Sequence, residues 1–147
     1  MKITEKDNSF ELSIAGYEYP NALAEPYDSN WLIIKISVST SQGAWNVTDP
    51  CLLTYEASHL ADWLEKINSG NFREVECGFL EPVVSFNVID DNGKKLLRIR
   101  FMLEALPDWA HGQDEYSIEF TLSELNLKSA SENLRKQLEK YPQRAAS

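Results

Sequence analysis

Apolar and polar residues alternate over several stretches of this chain, and the alternation predicts the order of its elements. From Trp31 to Ser39, Leu32, Ile34, Ile36 and Val38 fall on one side; Trp31, Ile33, Lys35, Ser37 and Ser39 fall on the other. A period of two describes a strand with one face toward a core and one that turns polar toward its end. Ser41-Gln42-Gly43 predicts a turn, and Ala44 to Thr48 the returning strand. Asp49-Pro50 predicts the end of that pairing, because proline has no N–H and restricts the residue before it. Leu52 and Leu53 then lead to Thr54, read as the N-cap of a helix. That helix would bury Leu60, Trp63, Leu64 and Ile67 at helical spacing and close at Gly70.

Upstream, Lys2 to Thr4 and Phe10 to Ile14 predict two short strands across the polar turn 5–9, with Gly16 and Tyr17 to Pro20 closing that hairpin. Residues 19–30, YPNALAEPYDSN, read as an ordered surface loop that Tyr19 and Tyr27 pin to the core. Downstream, Arg73 to Phe79 and Val83 to Ile89 predict strands on either side of Leu80-Glu81-Pro82. Asp91-Asn92-Gly93 is the strongest turn signal, since Asn-Gly supplies the positive φ angles of a two-residue hairpin turn. Lys95 to Leu103 returns with Leu97, Ile99, Phe101 and Leu103 on one face and Arg98 and Arg100 on the other. An irregular stretch, Glu104 to Glu115, precedes a last strand, Tyr116 to Leu122. Ser129-x-x-Glu132 then reads as a capping box for a helix that buries Leu134, Leu138 and Tyr141 and ends at Pro142. Strands, helix, strands, helix predict an α+β fold, mainly antiparallel sheet with one central and one C-terminal helix. The expectation is a single domain over 1–147, with its core at about 2–141 and a short polar tail at 142–147.

Composition changes this picture chiefly through charge. The chain carries 23 acids against 14 bases, net −9, and the last 22 residues hold 2 acids and 5 bases. The body is thus acidic and the final helix mildly basic. An acidic body disfavours nucleic acid and anionic membrane and favours a basic protein partner. No run of about 18 apolar residues appears, and the first residues lack the apolar segment of a signal peptide, so the cytoplasm is the expected location. Two cysteines, Cys51 and Cys77, make no disulfide framework and are expected to be reduced, small buried side chains.

Chemistry is thinly represented. The two histidines are His59, on the first helix, and His111, in the Trp109-Ala110-His111-Gly112 segment, where it is the better site candidate. Neither cysteine has a setting that would lower its pKa. Cys51, His59, Cys77 and His111 lack the paired spacing of structural zinc sites. Asp90-Asp91 falls at a turn, so it is no catalytic carboxylate pair. The glycines make no phosphate-cradling loop. These absences predict a protein without catalysis, cofactor or metal. The remaining feature is aromatic and acidic: Trp31, Trp45, Trp63 and Trp109 each have a nearby acid (Asp28, Asp49, Asp62 and Asp108). Trp31 and Trp63 read as core residues, and Trp109, between Asp108 and Gly112, as the exposed one.

Several spaced segments carry a resemblance. They are GYEYP; Asp28-x-Asn30-Trp31-Leu32; Trp45-Asn46-Val47-Thr48-Asp49-Pro50-Cys51-Leu52-Leu53; Phe79-Leu80-Glu81-Pro82; Pro107-Asp108-Trp109-Ala110; and the closing Tyr141-Pro142-x-Arg144. Over roughly residues 10 to 144 this layout resembles the WapI family of bacterial immunity proteins. The resemblance implies a cytoplasmic protein that binds and neutralises, by occlusion, the toxic C-terminal domain of a contact-delivered or wall-associated toxin. Such toxins are often tRNA-cleaving nucleases, and a nuclease must be basic to hold its substrate, which an acidic inhibitor suits. No family site residues are carried over, so the interface candidates come from charge and exposure: Asp28, Asp49, Asp90, Asp91, Asp108, Trp109, Asp114 and Glu115. Two other readings stay open here. One is a small-ligand or regulatory module whose pocket is lined by Trp109, His111 and Tyr27. The other is a hydrolase that pairs His111 with a loop carboxylate.

Overall fold

Two antiparallel four-stranded sheets carry the core, and each is built from consecutive hairpins. The computed structural model describes residues 1–145. The first sheet joins β1 (Lys2–Glu5), β2 (Asn8–Tyr17), β3 (Trp31–Thr40) and β4 (Gly43–Leu53) in chain order, which leaves β4 at an edge. Helix α1 (Thr54–Asn68) follows. The second sheet joins β5 (Glu76–Cys77), β6 (Val84–Asp91), β7 (Lys94–Phe101) and β8 (Tyr116–Thr121), again in order, and α2 (Leu127–Lys140) closes the chain. The fold is α+β, as the patterning predicts.

The apolar faces pack where the alternation places them. Leu32, Ile34, Ile36 and Val38 of β3 are buried, as are Leu97, Ile99 and Phe101 of β7. Phe10 on β2 stacks edge-on against Phe86 on β6, with ring centroids 5.7 Å apart, and this contact joins the two sheets through their inner faces. Trp63 of α1 is buried beside Phe86, and its indole N–H donates to the Glu74 carbonyl at 2.8 Å. The helices bind each other through Ser131, whose hydroxyl donates to the Ala61 carbonyl at 2.7 Å. Arg135 reaches Asp62 at 2.6 Å and also Glu65, so part of the basic charge of α2 is spent on α1.

Turn chemistry is followed closely. Asn92 and Gly93 both have positive φ, 52° and 86°, as the two-residue hairpin requires. At the end of α1, Gly70 (φ 85°) lets its own N–H reach the Ile67 carbonyl and the Asn71 N–H reach that of Lys66, a Schellman closure.

Several expectations need correction. Trp31, expected in the core, is only half-buried at the start of β3. Pro50 does not stop β4, which runs on to Leu53. Ile34 faces Asp49 and Leu32 faces Leu52, so Pro50 and Cys51 form a bulge on an edge strand, where a missing N–H breaks no ladder bond. Thr54 is the first residue of α1 and not its cap. Glu56 Oε1 caps by accepting from the Leu53 N–H at 3.0 Å, while the Thr54 hydroxyl donates to Asn30. In α2 the cap is Asn126, which accepts from the Ser129 N–H at 3.0 Å, so the helix begins ahead of the predicted Ser129–Glu132 box. Of Arg73 to Phe79 only Glu76–Cys77 pairs as strand, since Cys77 alone of that stretch is buried. Leu103 leaves the apolar face of β7: it takes φ 53° in a 3₁₀ turn and points outward.

The stretch after Tyr141 folds back on the body, and its last two residues, 146–147, lie outside the described residues. The Arg144 guanidinium lies 3.7 Å from the centre of the Tyr17 ring. It donates to the carbonyls of Ser29 (2.8 Å), Pro20 (2.8 Å) and Tyr19 (3.0 Å). The Arg144 N–H donates to Asn30 Oδ1 at 2.8 Å. Tyr19 and Tyr27 do not pin the 18–30 loop, since both are exposed; the buried Asn30 and the half-buried Arg144 hold it instead.

Candidate protein-binding surface

The connection from β7 to β8 builds the most distinctive surface. Met102 leaves β7 extended, and two 3₁₀ turns follow, Leu103–Ala105 and Asp108–Ala110, with Pro107 opening the second. The Trp109 ring lies across Gly43 at the start of β4. A Cβ placed there would come within 2.9 Å of the indole, and φ at Gly43 is 151°, so both the space and the backbone call for glycine. Trp45 and Tyr116 meet Trp109 edge-on at 5.3 and 5.9 Å. Trp45, itself buried, is fixed by its indole N–H on the Ala105 carbonyl at 2.9 Å and by Phe101 at 5.1 Å. Trp109 is thereby supported from behind yet stays 41% exposed. Asp108, Asp114 and Glu115 lie on the same loop, all exposed, and no Lys or Arg occurs between Met102 and Tyr116. His111 is exposed on the same loop and approaches Asp108 at 4.0 Å.

Asp49 belongs to the same neighbourhood. It is half-buried on β4, and its carboxyl is held above the ordinary value, first by burial and then by the charges of Glu104 and Glu81. No cation counts among these causes. Sequence reading missed Glu104 and Glu81, and with them two exposed leucines, Leu103 (57%) and Leu80 (65%). The available signal was an apolar–acidic pair at a strand end, Leu80-Glu81 and Leu103-Glu104.

The other predicted residues lie elsewhere. Asp28 stands on the 18–30 loop at the Trp31 end of β3, while Trp109 packs at the Gly43 end. Ten residues of strand separate those ends by about 30 Å. Asp90 and Asp91 end β6 opposite Lys95 and Lys94, at the far tip of the second sheet from Phe101 and Tyr116. There Asp90 pairs with Lys95 at 3.0 Å and accepts from the Gly93 N–H at 2.8 Å, and these two partners hold its carboxyl below the ordinary value.

Tyr27 and Trp109, at opposite ends of the first sheet, line no common pocket. A cleft of about 480 Å³ lies elsewhere, between the end of α1 and the β6–β7 hairpin, lined by Ile67, Phe72, Lys94, Lys95 and Leu122 among others. Both thiols are free and buried, and desolvation pushes each to a pKa of about 12, far from reactive. Among the described residues no cluster of His, Cys, Asp and Glu is arranged to hold a metal ion, and no helix is long and apolar enough to cross a membrane.

An exposed, rigidly backed indole beside exposed carboxylates has the chemistry that protein–protein contacts use. The chain belongs to the WapI-like immunity protein family, whose model matches residues 2–142. That membership supports an immunity role, exercised by binding a toxin protein. Comparison with curated proteins returns no match.

Proposed function

We propose that this protein binds the toxic C-terminal domain of a contact-delivered or wall-associated toxin in the cytoplasm of the producing cell. The toxin domain is a basic nuclease, most simply one that cleaves tRNA, and it is neutralised because its substrate groove is covered. The observation that carries this reading is the state of Trp109: exposed, held by Gly43, Trp45 and Tyr116, on a loop that carries exposed carboxylates and no Lys or Arg. A tryptophan so placed fills a partner's pocket with little loss of side-chain entropy. The carboxylates stand where phosphates would stand on the nuclease, so charge attracts the inhibitor to the same groove.

The test is co-expression with the C-terminal domain of a cognate toxin, sought first among the genes beside this one. Growth should be rescued, and a complex should elute that loosens as salt rises. Cells that die at normal inhibitor levels, with no complex in low salt, would overturn the reading.

A further inference from the structure

We infer that the toxin-facing surface is a belt along the outer edge of β4, which joins the Trp109 loop to the 18–30 loop and seats one basic domain across both. This rests on the toxin-binding reading above and extends it to residues that the indole alone does not reach.

The belt can be followed through packing, hydrogen bonds and charge. At one end Trp109 covers Gly43, the first residue of β4. Next, the Leu103–Ala105 turn packs on the strand, and the charges of Glu104 and Glu81 both act on Asp49. Glu56 bridges onward: one carboxylate oxygen accepts from the Leu53 N–H at 3.0 Å, and the other accepts from the Leu80 N–H at 2.9 Å. Glu56 is also close enough to Tyr55 to perturb it, together with Tyr27 of the 18–30 loop. Four large apolar side chains therefore emerge along this path: Trp109, Leu103, Leu80 and Tyr27, with the last at 57% exposure. Scattered single exposures need no explanation, but a row of four, each beside an acid, marks an interaction face.

Size and charge fix the occupant. Eleven residues of β4 span about 35 Å, which matches the roughly 30 Å width of a patch burying about 800 Å² per partner. No Lys or Arg lies within 18–30, 49–56, 80–83 or 102–115. Arg144, which docks on the 18–30 loop, is committed to three carbonyls and the Tyr17 ring. A basic protein surface complements such a face, whereas nucleic acid is repelled by it. The 18–30 loop is already shaped, because Asn30 uses both amide hydrogens and both oxygen lone pairs, on Pro26, on Arg144 twice, and on Thr54. A preformed loop binds without a further ordering penalty.

The experiment measures affinity of the full chain for the cognate toxin domain, alongside amide hydrogen exchange of the complex. Trp109→Ala should weaken binding by about a hundredfold, and Tyr27→Ala and Leu80→Ala by about tenfold each. Asp91→Asn, at the far hairpin tip, should change it less than about twofold. Exchange should slow over 18–30 and 80–83 as well as over 102–115, a readout that needs no variant to fold. If the parent binds, yet Tyr27→Ala and Leu80→Ala match it and exchange slows only around Trp109, the belt is wrong and the toxin-binding reading stands. If the parent neither binds nor protects, that reading fails and the belt falls with it.

Discussion

The loop from β2 to β3 and the loop from β7 to β8 are of similar length, are free of Lys and Arg, and expose aromatic rings, yet they are held by opposite chemistry. Residues 18–30 close short turns of their own, such as Ala22 to Tyr19 and Asn30 to Tyr27, but side chains answer their remaining carbonyls: the buried Asn30 amide and a guanidinium that arrives from Arg144 at the end of the chain. Residues 102–115 satisfy themselves through short-range N–H bonds, such as Ala105 to Met102 and Ala110 to Pro107, each at 3.0 Å. An indole laid on a glycine then fixes them to the sheet. Backbone polar groups that lack a ladder must be paired somehow. The first solution depends on polar groups far apart in sequence, and the second on one missing side chain. The two loops should therefore fail independently.

Asn30→Ala is the largest lever on the first loop. It strands the Arg144 N–H, the Thr54 hydroxyl and two carbonyls at a site with no solvent exposure. The expected loss is about 3 kcal/mol of stability, read by urea unfolding. Limited proteolysis of that variant should cut within 18–30 and spare 102–115. Equal cutting in both loops would mean that the two are coupled after all. Gly43→Ala is the matching lever on the second loop, with an expected loss of about 2 kcal/mol from the clash with Trp109 and the strained φ. Its tryptophan emission should shift to the red while residues 18–30 stay resistant to protease.

The same contrast explains how much could be read in advance. Alternation at Leu32, Ile34, Ile36 and Val38, and the Asn92-Gly93 turn, are local signals set by a neighbour two residues away or by one φ angle. They hold in the structure. Pro50 misled because a proline's effect depends on whether its strand is an edge, which only the sheet order reveals. Trp109 was legible as exposed from its Pro-Asp and Gly neighbours, but its support on Gly43 joins residues 66 apart in sequence. Asn30 and Arg144 appeared as parts of a resemblance and not as partners, since no spacing rule ties a loop amide to a guanidinium over a hundred residues later. The grouping of Asp49 with Glu81 and Glu104 was likewise hidden, because a strand interior, a connection and a 3₁₀ turn far apart in sequence supply it.

Arg144→Ala tests the clasp more gently than Asn30→Ala. The side chain is half-buried and its bonds are partly replaceable by water, so about 1 kcal/mol of stability is expected to go. Arg144→Lys should not restore it, because one ammonium cannot meet three carbonyls while lying flat on the Tyr17 ring. If lysine rescues fully, charge near Tyr17 is what matters and the fork geometry is idle.

Asp49 carries the smallest expected effect, and its sign differs between folding and binding. In the free protein, burial, Glu104 and Glu81 disfavour its charged form and raise its pKa above 3.8. The folded state therefore binds the proton more readily than the unfolded chain, and this group's penalty on stability, full at neutral pH, is relieved as pH falls through the raised pKa. Asp49→Asn should thus make the free protein slightly more stable at pH 7. In complex with a basic domain, the cation that Asp49 lacks would be supplied, so binding favours the ionised form. Affinity is then full above the raised pKa and fades as pH falls through it, earlier than for an ordinary aspartate. Asp49→Asn should lower affinity at neutral pH by about threefold and flatten that pH dependence. A variant that gains stability without losing affinity would leave Asp49 strained for some reason other than its place at the interface.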